Sequence, residues 1–281
     1  MATWNIGDVS ITKVLEMEKH WPFSALLPGA EEVIDDLDWL RPDFVTDEGR
    51  MKLSIHALVI ESDGQTIIVD TCCGNNKDRP GAPAFHNLET DFLGELSRCG
   101  FSPTDVDVVL STHLHVDHVG WNTQLIDGTW VPTFPNAEYL FVRPEFEHWA
   151  AEPQDYGPVF EDSVQPIIDA GLATVVEADH QITANISLEL TAGHTPGHVS
   201  VVIESGNDIA LITGDMTHHP VQFAHPEMAS SADWRQDMST ATRFEAYGKW
   251  SDGRLVIGTH FAGRTAGRLK PVGDAWSFEV A

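Results

Sequence analysis

His113-Leu114-His115-Val116-Asp117-His118 sets three imidazoles and one carboxylate within six residues. From this chain's composition, a prespecified H-x-H-x-D-H pattern is expected about 0.003 times, so chance is a poor account of it. Imidazole and carboxylate are the donors that borderline divalent ions such as Zn2+ prefer. In an extended segment His113 and His115 point the same way and can grip one ion. Asp117 and His118, where the chain is expected to turn into a helix, can reach a second. The motif follows Val106–Leu110, an apolar run that reads as a buried strand.

Six residues hold too few ligands for two ions, so others must come from elsewhere. His194 lies in Ala192-Gly193-His194-Thr195-Pro196-Gly197-His198, a loop punctuated by glycine and proline after a strand. Asp215 ends Ile212-Thr213-Gly214-Asp215, and His260 follows the apolar run Leu255–Ile257. Each is an ionisable residue at the end of an apolar stretch, where a purely structural role would carry an expensive burial.

The same stretches reveal an internal repeat. Residues 60–70 read IESDGQTIIVD and residues 203–215 read IESGNDIALITGD, both strand, glycine turn, strand, aspartate. VDVVLSTH then ends at His113, and GRLVIGTH ends at His260. Asp70 and Asp215 are 145 positions apart, and His113 and His260 are 147 apart. Two halves of similar plan are expected, with the carboxyl ends of their strands meeting along one edge, where α/β sites are built.

Around these halves the pattern predicts further elements. Ile6–Val14 reads as a short strand, Trp21–Gly29 as loop, and Glu31–Leu40 as a short acidic helix. Phe92–Cys99, Pro144–Ala151 and Thr240–Trp250 read as helices, and residues 218–238 as a long irregular segment. With 42% hydrophobic residues in 281, the chain can bury a large core, and one domain over 1–281 is expected. The formal charge is −27, a surface that repels phosphate backbones and anionic lipid. No apolar stretch approaches the roughly 20 residues that span a bilayer. MATWNIGDVS lacks the basic and apolar regions of a secretory signal, so a cytoplasmic protein is expected. Cys72, Cys73 and Cys99 are odd in number and two are adjacent, so no disulfide framework is expected.

With those residues in view, the chain resembles the metallo-β-lactamase superfamily of binuclear metal hydrolases. The resemblance runs from about Met51 to Thr265, in the order Asp70, His113-x-His115-x-Asp117-His118, His194, Asp215, His260. It implies an α/β fold, a four-layer αββα sandwich of two pseudo-repeated halves, with the site at one edge between the sheets. It implies one metal held by His113, His115 and His194 and another held by Asp117, His118 and His260. Asp215 would bridge them, with a hydroxide between. Two Zn2+ are the implied cofactors, with Mn, Fe or Co as substitutes; diiron relatives usually carry a Glu at the position of His115. The implied activity is hydrolytic attack on a carbonyl, opening a lactone or cleaving a related ester. The loop Gly214–Glu227 and the overall length resemble the lactonase and methyl parathion hydrolase branch. The same fold acting on a β-lactam, thioester or organophosphate is the alternative. A non-enzymatic scaffold is disfavoured, because structural zinc sites are closed and Cys-rich.

The catalytic set expected on this resemblance is Asp117, Asp215 and His218. Lactonases of the superfamily carry a tyrosine three residues after the bridging Asp, where this chain has His218. That histidine can hydrogen-bond a substrate carbonyl or protonate a leaving group; otherwise it is a solvated loop residue beside His219. Asp70 is expected to hydrogen-bond the metal loop, His198 to stand behind the ligands, and Thr112 and Thr259 to hydrogen-bond the loops. Trp121 and Phe223 are expected to wall the pocket. Residues 1–50, with Trp21, Phe23, Trp39 and Phe44, form an amino-terminal extension read as a lid or dimer contact. The expected partner is a small-molecule substrate, with no nucleic acid and no membrane, and with a homodimer left open.

Overall fold

Stretches rich in Val, Ile and Leu, nearly unbroken in their burial, make the central strands of this chain, since β-branched side chains pack well on a pleated surface. The computed structural model describes residues 2–281. The first sheet opens with β1 (Thr3–Ile6), β2 (Val9–Trp21), β3 (Met51–Ser62), β4 (Gln65–Val69) and β5 (Val108–Leu110), side by side in that order. A separate ribbon follows, β6 (Thr123–Ile126) with β7 (Thr129–Pro132). β8 (Glu138–Val142) and β9 (Ala173–Val176) then complete the first sheet beside β5. The second sheet runs β10 (Ile186–Leu190), β11 (Val199–Ser205), β12 (Asp208–Ile212), β13 (Leu255–Ile257), β14 (Ala266–Val272) and β15 (Ala275–Val280).

The two sheets bury their faces against each other. Leu58, Ile60, Ile67, Val69 and Leu110 of the first share a core with Val199, Val201, Ile203, Ile212 and Ile257 of the second. Helices cover the outer faces. On the first lie α1 (Phe92–Arg98), α2 (Arg143–Ala151), α3 (Val159–Ser163) and α4 (Gln165–Asp169), around Phe92, Leu96, Phe141 and Ile167. The second carries α5 (Val221–Ala224), α6 (Gln236–Trp250) and the segment 22–45, around Phe23, Leu40, Phe44, Phe223, Tyr247 and Trp250. The layer order is αββα, as the resemblance implied.

The repeat read in the sequence is one three-strand unit built twice. β3 pairs antiparallel with β4, which pairs parallel with β5. β11 pairs antiparallel with β12, which pairs parallel with β13. Because the second pair in each unit is parallel, both strands of it end at the same edge. Asp70 and His113 follow β4 and β5, while Asp215 and His260 follow β12 and β13.

Several local expectations are corrected. Glu31–Leu40 is a string of 3-10 turns, Ala30–Glu32, Ile34–Asp36 and Asp38–Leu40. Glu31 with Asp35, and Glu32 with Asp36, would set like charges four residues apart on an α-helix, which disfavours it. β2 runs on to Trp21, so that residue ends a strand and does not lie in a loop. No α-helix follows His118; a 3-10 turn, Gly120–Asn122, does. A Cβ at Gly120 would collide with the Cys73 carbonyl, so this turn can pack only as glycine. The hairpins β6–β7 and β14–β15 escaped notice, although Asp127-Gly128 and Gly273-Asp274 are turn signals. The three cysteines are free thiols, as expected.

The loop 74–87 is pinned by a buried charge cluster. Arg79 grips the Asp162 carboxylate with two bonds, 2.6 and 2.7 Å long. Lys77 donates to Thr123 Oγ1 at 2.6 Å and to the Asp162 carbonyl at 2.9 Å, and lies 3.6 Å from the Trp130 ring centroid. Asp162 is already neutralised by Arg79, so Lys77 is a surplus cation. Burial lowers its pKa from 10.5 to about 7, with Asp162 opposing the shift and Arg79 adding to it. Between pH 7 and 10.5 the unfolded chain therefore binds the extra proton, and this group's contribution to stability rises with pH. Urea denaturation of wild type and Lys77→Met from pH 6.5 to 9 should show that rise in the wild type and a flatter profile in the variant; equal slopes would contradict it.

Candidate metal centre

The parallel strand ends bring all seven expected ligands together. His113, His115 and His194 each offer a ring nitrogen, all within 4.8 Å of one another. Asp117, His118 and His260 form a second group within the same limit, and Asp215 joins His113 and His118 in a third. Its Oδ2 lies 3.9 Å from His113 Nε2, 3.4 Å from His118 Nε2 and 3.6 Å from His194 Nε2. Asp215 Oδ1 is 3.1 Å from His260 Nε2. One carboxylate thus touches both sets.

The donor atoms fit a divalent ion. His113 Nε2, His118 Nε2 and Asp215 Oδ1 are buried and have no hydrogen-bond partner. His194 Nε2 and His115 Nδ1 face each other at 2.9 Å. A buried polar atom left unpaired costs roughly 1–3 kcal/mol, so a cluster of them aimed at one spot fits a shared cation. The set is His and Asp with no Cys, which suits zinc or a similar borderline ion at an open site.

Electrostatics point the same way. Burial, reinforced by neighbouring histidines, holds His113 and His115 well below the usual imidazole range, so their lone pairs are free. Burial favours the neutral acid at Asp215, but His260, His118 and His218 outweigh it and keep the carboxylate ionised. Burial also opposes charge on His118 and His260; Asp215, with Asp70 at His118 and Asp117 at His260, overrides it and raises both. The cluster draws in positive charge.

Other residues hold the donors still. Asp70 sits at φ +57, and its carboxylate takes the Thr112 N–H at 2.8 Å and the Thr112 hydroxyl at 2.9 Å. It also bonds His118 Nδ1 at 2.9 Å, which turns Nε2 toward the cluster. His198 Nε2 accepts the Asp215 N–H at 2.8 Å. His260 Nδ1 meets the Ser54 carbonyl at 3.2 Å. Thr259 departs from expectation: its hydroxyl has no partner, although its N–H reaches Thr213 Oγ1 at 3.4 Å.

Two supports were missed. Glu145, buried on α2, accepts the Leu114 N–H at 3.0 Å, the Gly197 N–H at 2.9 Å and Trp149 Nε1 at 2.6 Å. It ties together the two loops that carry His113, His115 and His194. Asp233 bonds His194 Nδ1 at 3.0 Å. Burial works against its charge, but the His194 bond and the nearby His218 and Arg243 hold its carboxyl well below the usual range. Neither had a local signal: Glu145 looks like any helix surface acid, and Asp233 lies in the irregular segment.

A cavity of about 290 Å³ opens on this cluster. It is lined by His115, Asp117, His194, Asp215, His218 and His260 together with Trp21, Leu26, Leu53, Ile55, Phe85 and Tyr156. Trp121 and Phe223 are not among the walls. Trp121 stacks on Phe92 and donates to Glu16 Oε1 at 2.6 Å, while Phe223 packs against Tyr247 and Phe278 in the core. Each neighbours the site in sequence, but its side chain turns away from it. His218 and His219 are both buried, which removes the solvated reading. His218 Nε2 lies 3.3 Å from Asp215 Oδ2, and His219 Nε2 meets the Phe44 carbonyl at 2.9 Å.

This layered fold, with a His/Asp cluster where paired strands end, defines a class of metal-binding α/β sandwiches. The chain belongs to the metallo-beta-lactamase superfamily, whose sequence profile matches residues 51–248. It is 30% identical over 153 residues to the N-acyl homoserine lactonase AiiA of Bacillus thuringiensis subsp. kurstaki, covering 51% of this chain and 55% of that one. It is 27% identical over 177 residues to the N-acyl homoserine lactonase AttM of Rhizobium radiobacter, covering 59% and 62%. The chain spans about half the length of the curated relatives it matches. In structure it is similar to AbOPH, a hydrolase in the beta-lactamase superfamily, with TM-score 0.82, 24% identity and 99% and 96% coverage. It is also similar to AidC, a dizinc quorum-quenching lactonase solved with a product, with TM-score 0.80, 20% identity and 100% and 97% coverage. These structural likenesses speak for the fold. Among the described residues, no helix is long and apolar enough to cross a membrane.

Glu145→Ala would leave the Leu114 and Gly197 N–H groups buried and unpaired, at roughly 1–3 kcal/mol each. Denaturation of the metal-free variant should show a loss of that order, and a stability equal to wild type would contradict the clamp.

Proposed function

We propose that the chain is a binuclear zinc hydrolase that opens a lactone ring or cleaves a related carboxylic ester. The observation that carries this reading is the pair of His/Asp groups sharing Asp215 at a cavity that Trp21, Leu26, Leu53, Ile55 and Phe85 also line. The relatives named N-acyl homoserine lactonase support it and make such lactones the first substrates to try.

His113, His115 and His194 would hold one ion, Asp117, His118 and His260 the other, and Asp215 would reach both. Zinc so held would supply a nucleophile at neutral pH and positive charge opposite a developing oxyanion. The remaining work falls to this chain's side chains. Trp21, Leu26, Leu53 and Phe85 line the cavity and would seat an apolar acyl group, leaving the ring beside the His/Asp cluster. Burial, then Asp117, Asp155 and Asp215, raise the Tyr156 phenol, so at neutral pH it remains a hydrogen-bond donor lining the cavity. Burial pushes His218 below the usual imidazole range against the pull of Asp215, so the ring is neutral at pH 7. Its two nitrogens have no hydrogen-bond partner, and one N–H is free to bond the carbonyl or the departing ring oxygen. Asp117, with its side chain 14% exposed, is the ligand best placed to carry the proton lost from water to that oxygen. The acyl C–O bond breaks, and the products are a carboxylate and a hydroxyl.

Proton release in a pH-stat is the direct assay. Protein with two zinc ions should open an N-acyl homoserine lactone; chelation should abolish turnover and added zinc restore it. Nitrocefin, a glutathione thioester and paraoxon are the comparison substrates, and turnover of one of these with none of any lactone would overturn the substrate reading. His218→Ala should retain two zinc ions and lose roughly 100-fold or more in kcat; unchanged kcat/KM would remove His218 from the reaction.

A further inference from the structure

His194 is held from behind by a turn that also builds the cavity rim. The Trp234 N–H donates to the His194 carbonyl at 2.9 Å, and the Arg235 N–H to the Gly193 carbonyl at 2.9 Å. Between these anchors and the rim sits Asp233. Its Oδ1 lies 3.0 Å from His194 Nδ1, with the two side chains 0% and 1% exposed. Its Oδ2 accepts the Ser230 N–H at 3.0 Å and lies 3.5 Å from Arg243 Nη1. Arg243 is itself fixed, donating to the Pro226 carbonyl at 2.9 Å and to Ser239 Oγ at 2.6 Å. The carboxylate is therefore held on every side and cannot turn away from the imidazole.

We propose that Asp233 is a positioning residue for His194, fixing the ring as its Nδ1–H tautomer so that Nε2 presents a lone pair to the His113–His115 side of the cluster. An ionised carboxylate only accepts hydrogen bonds, so the ring nitrogen facing it must carry the proton. The other tautomer would oppose two lone pairs at 3.0 Å in a dry site. A neutral imidazole protonated on Nδ1 has its lone pair on Nε2, the atom that faces His115 Nδ1 at 2.9 Å. The same turn reaches the substrate side. The Ser231 N–H donates to the Leu26 carbonyl at 2.9 Å and its hydroxyl to the Ala25 carbonyl at 3.1 Å. Ala25, Leu26, Ser231 and Ala232 all line the cavity. One short segment thus sets both the tautomer of a ligand and the shape of the rim.

The inference rests on reading His194 as a metal ligand, and the test separates the two. Long-range 15N–1H spectra of histidine-labelled, metal-free full-length chain report the tautomer directly, and chelator competition reports zinc affinity. Wild type should show His194 protonated on Nδ1. Asp233→Ala should lose that signature and bind one of its two zinc ions roughly 10–100-fold more weakly. Asp233→Asn, close in shape, keeps an acceptor oxygen without the charge and should fall between; it carries the test if the alanine variant does not fold. Both variants with wild-type tautomer and wild-type zinc affinity would overturn the proposal. A changed tautomer in Asp233→Ala, together with a wild type that binds no zinc, would uphold the hold on the ring and refute the ligand reading.

Discussion

Five histidine rings come within 3.9 Å of the Asp215 carboxylate, in a place that water barely reaches. So many lone pairs aimed at one spot repel one another and are costly to bury, unless a cation lies among them. That constraint organises the molecule. His113 and His118 follow the first sheet, while Asp215 and His260 follow the second, so the cluster exists only while the two sheets stay registered face to face. The shared core of Leu58, Ile60, Val201, Ile203 and Ile212 keeps that registration.

Around the donors stands a ring of fixed acceptors. Asp70 serves His118, Asp233 serves His194, the Ser54 carbonyl serves His260, and Glu145 joins the loops beneath them. Each sets a direction that the donors alone could not hold, since an imidazole on a loop is free to flip and choose either tautomer. The acceptors come from a strand end, an irregular turn, a strand interior and a helix. Donors that sit on loops are thereby held by groups that come from four different parts of the fold.

The amino-terminal segment has two roles that its sequence does not separate. β1 and β2 extend the first sheet, and the turns that follow pack Phe23, Leu40 and Phe44 on the second. Between them, Trp21, Ala25 and Leu26 reach the cavity. The segment touches both sheets, and Ser231 ties it to the turn that carries Asp233. Apolar wall and ligand cluster therefore share one support.

The amino-acid sequence by itself determined the candidate ligand set and the doubled plan. His113-x-His115-x-Asp117-His118, His194, Asp215 and His260 each stand where an apolar run stops, and a strand that ends in an ionisable residue is legible from one dimension. The strand–turn–strand–Asp repeat was legible for the same reason, since local periodicity encodes it. Only the tertiary structure decided which way side chains face and which distant segments meet. Trp121 and Phe223 adjoin the site in sequence yet turn into the core, whereas Trp21, Phe85 and Tyr156 arrive from far away to form the wall. Glu145 and Asp233 likewise become supports only when the chain folds back on itself. An acceptor has no periodicity of its own: it is defined by the N–H it meets, and that partner lies tens of residues away.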